Sequence, residues 1–157
     1  MAVSTPVRRY YAEKIFAQTT RTSPPPNFRP LEGDPTGQAT VEGCRGGGKN
    51  ILELALRGAG GRIADVRASC GLCNPAMMVA VDLVLDWARG RDLEEVLALD
   101  LLDLDALAPI LAPLDAGAEA HEDAVEKARY ALVALRRAAC DTLGKPPLDE
   151  PEIPEPA

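Results

Sequence analysis

The sequence predicts an α+β fold: a small antiparallel three-stranded sheet packed against several helices, with a disordered Pro-rich acidic C-terminal tail. Three observations predict it. Apolar and polar residues alternate with a period of two on both sides of Gly58-Ala59-Gly60-Gly61, the pattern of a β-hairpin. Beyond Asn74-Pro75 the period becomes helical, with recognisable starts and stops. The last thirteen residues hold five prolines among four acids, a composition that cannot build a core. At 157 residues the chain fits one domain, which buries about two-thirds of its unfolded surface and needs no metal or disulfide merely to fold. The organisation read from it is an N-terminal helix and Pro-rich connection over 1–37, an α+β core over 38–144 and the tail over 145–157.

Thr5-Pro6 opens the first helix, in which Val7, Tyr11 and Ile15 recur at helical spacing through about Gln18. Ser23-Pro24-Pro25-Pro26-Asn27, Pro30 and Gly33-Asp34-Pro35 then forbid regular structure. Gln38 to Glu42 forms a short strand. In the next, Leu52, Leu54 and Leu56 share one face with Glu53 and Arg57 on the other; in the third, Ala64, Val66 and Ala68 stand opposite Asp65 and Arg67. Asn74-Pro75 caps a helix that runs apolar almost all round from Ala76 to Arg89 and is closed by Gly90. Further helices follow over Arg91 to Ala98, around Leu104 to Leu111 across Pro109, and from Ala118 to about Cys140. The last carries His121, Ala124, Val125, Ala128, Leu132 and Leu135 on one stripe.

Seventeen basic residues against 24 acidic ones give −7, of which the tail supplies −3. An acidic body with 4% aromatics lacks the basic surface and stacking platforms of a nucleic-acid binder. Arg8-Arg9 is followed by Tyr10-Tyr11-Ala12-Glu13-Lys14, with no apolar region of a signal peptide, and no window reaches the length of a membrane span. The expectation is a cytoplasmic protein, where four cysteines point to metal or sulfur chemistry before structural disulfides.

Cys44 precedes the first long strand, whereas Cys70 and Cys73 follow the hairpin and precede the buried helix. The open ends of a hairpin lie side by side, so these three thiols are expected at one edge. Cys73 adjoins the N-cap Asn74, where the helix dipole favours a thiolate. Cys70-Gly71-Leu72-Cys73 is a C-x-x-C pair that could share a metal or form a redox disulfide.

Tyr11-Ala12-Glu13-Lys14-Ile15, Gly61-Arg62-Ile63-Ala64-Asp65-Val66-Arg67, Asp86-Trp87-Ala88-Arg89-Gly90-Arg91-Asp92-Leu93-Glu94-Glu95 and Glu122-Asp123-Ala124-Val125 follow one another in an order and spacing that resembles the NifU/IscU-like iron-sulfur cluster assembly scaffolds. The resemblance covers roughly residues 10 to 139. It implies a small sheet packed by helices and a labile cluster held on three cysteines assisted by an aspartate. It also implies sulfur from a cysteine desulfurase and delivery to recipient apo-proteins. Counting from Asp65, Cys73 falls where the family keeps its second cysteine.

Gly48-Lys49-Asn50 stands where the family has Cys-Gly-Asp, so the aspartate is missing and Cys44 serves as the first ligand only if Arg45 to Lys49 folds back. Gly117 stands at the third cysteine. Cys140 lies 23 residues further on, about 34 Å along a helix at ~1.5 Å per residue, too far to replace it. His121, one helical turn after Gly117, is the better substitute, since cysteine and histidine together hold zinc or an iron-sulfur centre.

The reading is a divergent iron-sulfur cluster assembly scaffold or carrier with Cys44, Cys70, Cys73 and His121 as metal ligands. It has no catalytic acid or base, and its cargo is a labile cluster, or zinc. The alternatives are a degenerate scaffold paralogue acting as a protein-interaction or regulatory module, and a zinc or thiol-redox protein using Cys70 and Cys73. Gly43 to Asn50 fits the G-x-x-x-x-G-K phosphate loop, but asparagine replaces the magnesium-binding hydroxyl and a strand, not a helix, follows. Asp82 and Asp86, Glu94-Glu95 and the acids of 100–105 read as solvated faces and caps rather than acid-base pairs.

Overall fold

A computed structural model describes residues 5–44, 50–71, 74–114 and 122–150. Strands β1 (Gly37–Cys44), β2 (Asn50–Ala59) and β3 (Arg62–Gly71) form one antiparallel sheet in the order β1-β2-β3. Ala59 pairs with Arg62 across Gly60 and Gly61, whose φ values of +61° and +77° suit the two-residue hairpin turn that only glycine adopts without strain. Leu52, Leu54 and Leu56 are buried at 3%, 2% and 0% exposure, as their shared face requires.

The third strand departs from simple alternation. Arg57 pairs with Asp65 and Gly58 with Ile63, so Ala64 is an extra residue between them, a β-bulge. Val66 and Ala68 face the core as expected, but Ala64 is exposed and Ile63 takes the interior position. The slip puts the larger apolar side chain out of water, which stabilises the bulged register over the regular one.

Helices cover one face of the sheet. The N-terminal helix is α1 (Thr5–Tyr10), continued by a π turn (Tyr11–Ile15) and a 3-10 turn (Phe16–Gln18), and it buries Val7 and Ile15. Helix α2 (Pro75–Ala88) packs against β3 and against the long α5 (Glu122–Leu143), which lies across β1 and β2. Between them run α3 (Leu93–Ala98) and α4 (Leu104–Leu111), the latter containing Pro109. The stripe expected on α5 is the buried one: Ala124, Val125, Ala128, Leu132 and Leu135 are all at most 3% exposed. The same helix also buries Lys127, at 2%, on Asp123 one turn earlier.

Close packing fixes where α5 sits. A Cβ on Gly37 would lie 2.2 Å from the Ala138 carbonyl oxygen and 2.3 Å from Thr142 Oγ1, so the start of β1 meets the C-terminal part of α5 at a distance only glycine allows. The Gln38 N–H donates to Asp141 at 2.9 Å in the same place.

A 3-10 turn over Pro26–Phe28 lies beside the edge strand β3. Arg67 donates to the Pro26 carbonyl and Arg57 to that of Glu32, pinning the Pro-rich connection at both ends. Residues 145–150 have no regular secondary structure. Lys145 pairs with Glu94 at 2.7 Å and Glu150 with Arg136 at 3.2 Å, the latter without hydrogen-bond geometry; the rest of the tail lies outside the described residues.

Candidate functional site

The sheet register positions the cysteines. β1 and β3 both run antiparallel to β2, so their C-terminal ends lie at the end where β2 begins. Val41 and Cys70 flank Leu52 on either side, Gly71 pairs with Ile51, and Cys44 closes β1 opposite Asn50 after a bulge. The backbone positions of Cys44 and Cys70 thus fall at one end of the sheet. Cys70 is half-buried against the core. Its sulfur is part of a disulfide.

Cys73 and His121 lie outside the described residues, and Cys44 is described by its backbone alone. Among the described residues no three His, Cys, Asp or Glu side chains are grouped to hold a metal ion. Cys140 is a free thiol buried at 1%. It neighbours Ala138 and Thr142, which touch the start of β1, and so stands at the opposite end of the sheet from Cys70.

α2 begins beside the thiol end. Asn74 Oδ1 accepts from the Met77 N–H at 2.8 Å and the Asn74 carbonyl from Met78 at 3.1 Å, as an N-cap should. Val7, Arg8 and Tyr11 of the N-terminal helix face Asn74, Pro75 and Ala76 across a cavity of about 320 Å³. A second groove, of about 420 Å³, lies elsewhere: Phe28 to Leu31 roof it over Thr40, Glu53 and Ser69, away from the α2 start.

Behind that start lies a polar clamp the sequence did not announce, and it corrects the solvated stripe expected at Asp82. Asp82 is 7% exposed. Tyr10 Oη donates to its Oδ2 at 2.6 Å and Asn27 Nδ2 to its Oδ1 at 2.6 Å. Asn27 also donates to Asp86 Oδ1 at 3.0 Å and accepts from Arg89. Arg89 in turn reaches Asp65 at 3.0 Å, Asp86 at 3.1 Å and the Val66 carbonyl at 2.8 Å. The clamp ties α1 and the Pro-rich connection to α2 and β3.

Burial pushes the Asp82 carboxyl above the ordinary carboxylate range, although the hydrogen bonds from Tyr10 and Asn27 oppose the shift. Burial and then the Asp82 hydrogen bond push the Tyr10 phenol up as well. At Asp65 burial acts upward but is outweighed by Arg89, the Val66 N–H and Arg67, which hold that carboxyl below its usual range. The remaining motif residues are also structural: Arg91 lies over the Trp87 ring at 4.5 Å and donates to the Trp87 carbonyl at 2.8 Å. The acids of 100–105 behave as expected, Asp100 and Asp103 accepting from Leu102 and Asp105 amides.

No protein-family model and no curated protein matches the chain. Solved structures do. A structure described as an iron-sulfur cluster assembly scaffold protein for the SUF system, FiSufU from Fervidobacterium islandicum AW-1, is similar at TM-score 0.55 and 16% identity over 87% of this chain and 95% of its own. The N-terminal part of a nitrogen-fixing NifU-like protein from Brucella abortus is similar at TM-score 0.61 and 10% identity, over 91% and 95%. A third, described only as a hypothetical protein, gives 0.56 and 18% over 84% and 98%. The chain therefore has the fold of these scaffold structures. No helix among the described residues is long and apolar enough to cross a membrane.

Proposed function

We propose that the chain is a divergent iron-sulfur cluster assembly scaffold or carrier whose cargo is held at the thiol end of the sheet. One observation carries the reading: within the fold of the scaffold structures, β1 ends in Cys44 and β3 reaches Cys70 at the same end, beside the capped start of α2. Cys44, Cys70, Cys73 and His121 are the ligands proposed, since thiolate and imidazole suit iron, iron-sulfur and zinc centres alike.

In this reading a cysteine desulfurase passes a sulfane sulfur to a thiolate as a persulfide, an external two-electron donor reduces it to sulfide as iron joins it, and the cluster passes to a recipient apo-protein. The positive end of the α2 dipole stabilises the negative charge that sulfur acceptance places next to Asn74. No acid-base group is required, and Asp82, tied into the clamp, serves the fold. Loss of the family's aspartate and third cysteine argues for weaker or altered cluster retention, with His121 in place of a thiolate.

A second reading has an observation of its own. The Cys70 disulfide favours a thiol-redox or zinc protein built on the C-x-x-C pair. Anaerobic purification and reconstitution with ferrous iron and sulfide separates the readings. Iron and acid-labile sulfide retained in similar amounts supports the scaffold; zinc alone supports the second reading; a chain that retains neither is an interaction module, and the cargo proposal is wrong.

A further inference from the structure

We propose that the Arg136 guanidinium is a docking point for a carboxylate on an extended acidic segment of a partner protein, and that residues 145–150 are a displaceable strap that occupies it in cis. The site is independent of the thiol end. Arg136 lies two residues before Ala138, whose carbonyl meets the start of β1 at the opposite end of the sheet.

Arg136 is buried on α5, its side chain 10% exposed. Its Nη1 donates to the Leu99 carbonyl, just past the end of α3, and this contact orients the guanidinium. The edge formed by Nε and Nη2 is the fork on which a carboxylate accepts two parallel hydrogen bonds. Glu150 approaches it with Oε1 3.2 Å from Nε, yet Nε and both carboxylate oxygens are buried without a hydrogen-bond partner. Such a pair is held by Coulomb attraction alone, and each orphaned atom keeps its desolvation cost. Burial pushes the Glu150 carboxyl above its usual range in spite of Arg136 and Arg137, so the two cations compensate the buried charge incompletely.

The misfit has its cause in the tether. α5 ends at Leu143, and Gly144 takes φ +67° so that the Lys145 N–H returns to the Cys140 carbonyl at 2.9 Å. Lys145 pairs with Glu94 of α3 at 2.7 Å, and Pro146 and Pro147 hold the next φ angles near about −65°. From Leu143 back to Arg136 is about 10 Å at ~1.5 Å per residue, a distance that six extended residues span with chain to spare. Reach is ample, but Leu148 and Asp149 alone are left to orient the carboxylate. A segment free of that tether can turn its carboxylate into the guanidinium plane and make both hydrogen bonds. The partner's chemistry is that of the strap it replaces: the surface between α3 and α5 already receives an extended, proline-led acidic segment, and the exposed Arg137 adds positive charge beside it. A partner must overcome the effective concentration of the tethered strap, and the two charge-assisted hydrogen bonds are what it gains.

The probe is the peptide of residues 145–150, acetylated and amidated, titrated into the nitrogen-15-labelled full chain while the Arg136 Nε–H resonance is followed. Glu150→Gln removes the competing carboxylate and leaves Arg136 untouched; it should bind the peptide roughly tenfold more tightly than the wild type. A peptide with glutamine at the Glu150 position should bind roughly tenfold more weakly than the unaltered one. Saturating peptide should also release the wild-type strap, seen as random-coil shifts for Leu148 and Asp149. Equal affinity of the two chains, no loss on the peptide substitution, a strap that stays in place, or no binding to either chain overturns the proposal. Acetate that shifts the same resonance at the same concentration would make the fork a general anion site and overturn it too. A wild type that sediments as a dimer and is dissociated by the peptide would assign the fork to a second copy of the chain, against the partner proposed.

Discussion

The Asp82 carboxyl sits inside the protein with a phenol and an amide as partners, so its protonation is coupled to folding. Its folded pKa is raised, which means the native state binds the extra proton more tightly than the unfolded chain does. The stability that this proton contributes is present below the unfolded value of about 4 and is lost as the pH rises through the folded value. Urea midpoints measured from pH 4 to 7 should therefore drop more steeply with rising pH for the wild type than for Asp82→Asn; parallel profiles would show that Asp82 does not titrate abnormally. At Asn74 the local rule suffices. Asn74→Ala removes the acceptor of the Met77 amide and should cost about 1 kcal/mol in urea unfolding, with no change at all counting against the cap. The Asn74 cap was legible because its partner is three residues away. Asp82 was not, because Tyr10 and Asn27 are 72 and 55 residues away and only the tertiary fold brings them to α2.

Strands and helices were legible where their own periodicity decides burial, as in the leucines of β2 and the stripe on α5. The bulge at Ala64 was not, because alternation alone cannot say that Ile63 competes for the same interior site. The seating of α5 on β1 was equally hidden, since nothing local marks Gly37 as a contact point. Gly37→Ala would drive a methyl into the Ala138 carbonyl, and the helix must shift; a loss of about 2 kcal/mol is expected in urea unfolding, whereas a neutral result would mean that α5 does not rest there. The motifs that carry the family resemblance acquire a meaning at this scale. Asp65, Arg67, Asp86 and Arg89 meet in one network, and Trp87 with Arg91 closes the end of α2. Their contacts tie α2 to β3, which is why they announce the architecture more clearly than the cargo.

For the molecule as a whole, the antiparallel sheet collects the ends of β1 and β3 at the start of α2 and sends Cys140 to the far end. The expected convergence of thiols at one edge came from hairpin geometry; the register puts the Cys44 backbone and Cys70 at one end of the sheet with β2 between them, and their convergence with Cys73 and His121, which stand outside the described residues, is a proposal. What sequence could not supply is the oxidation state of Cys70, because a C-x-x-C pair reads equally as a metal clip or a disulfide. The central claim is that cargo is held at the sheet end and nowhere else, and one comparison tests it most directly. Iron and acid-labile sulfide are measured per chain after anaerobic reconstitution of the wild type, Cys73→Ser and Cys140→Ser, each first shown to be folded. The account predicts that Cys73→Ser loses nearly all of both while Cys140→Ser matches the wild type; equal retention in the two variants, or equal loss, would contradict it.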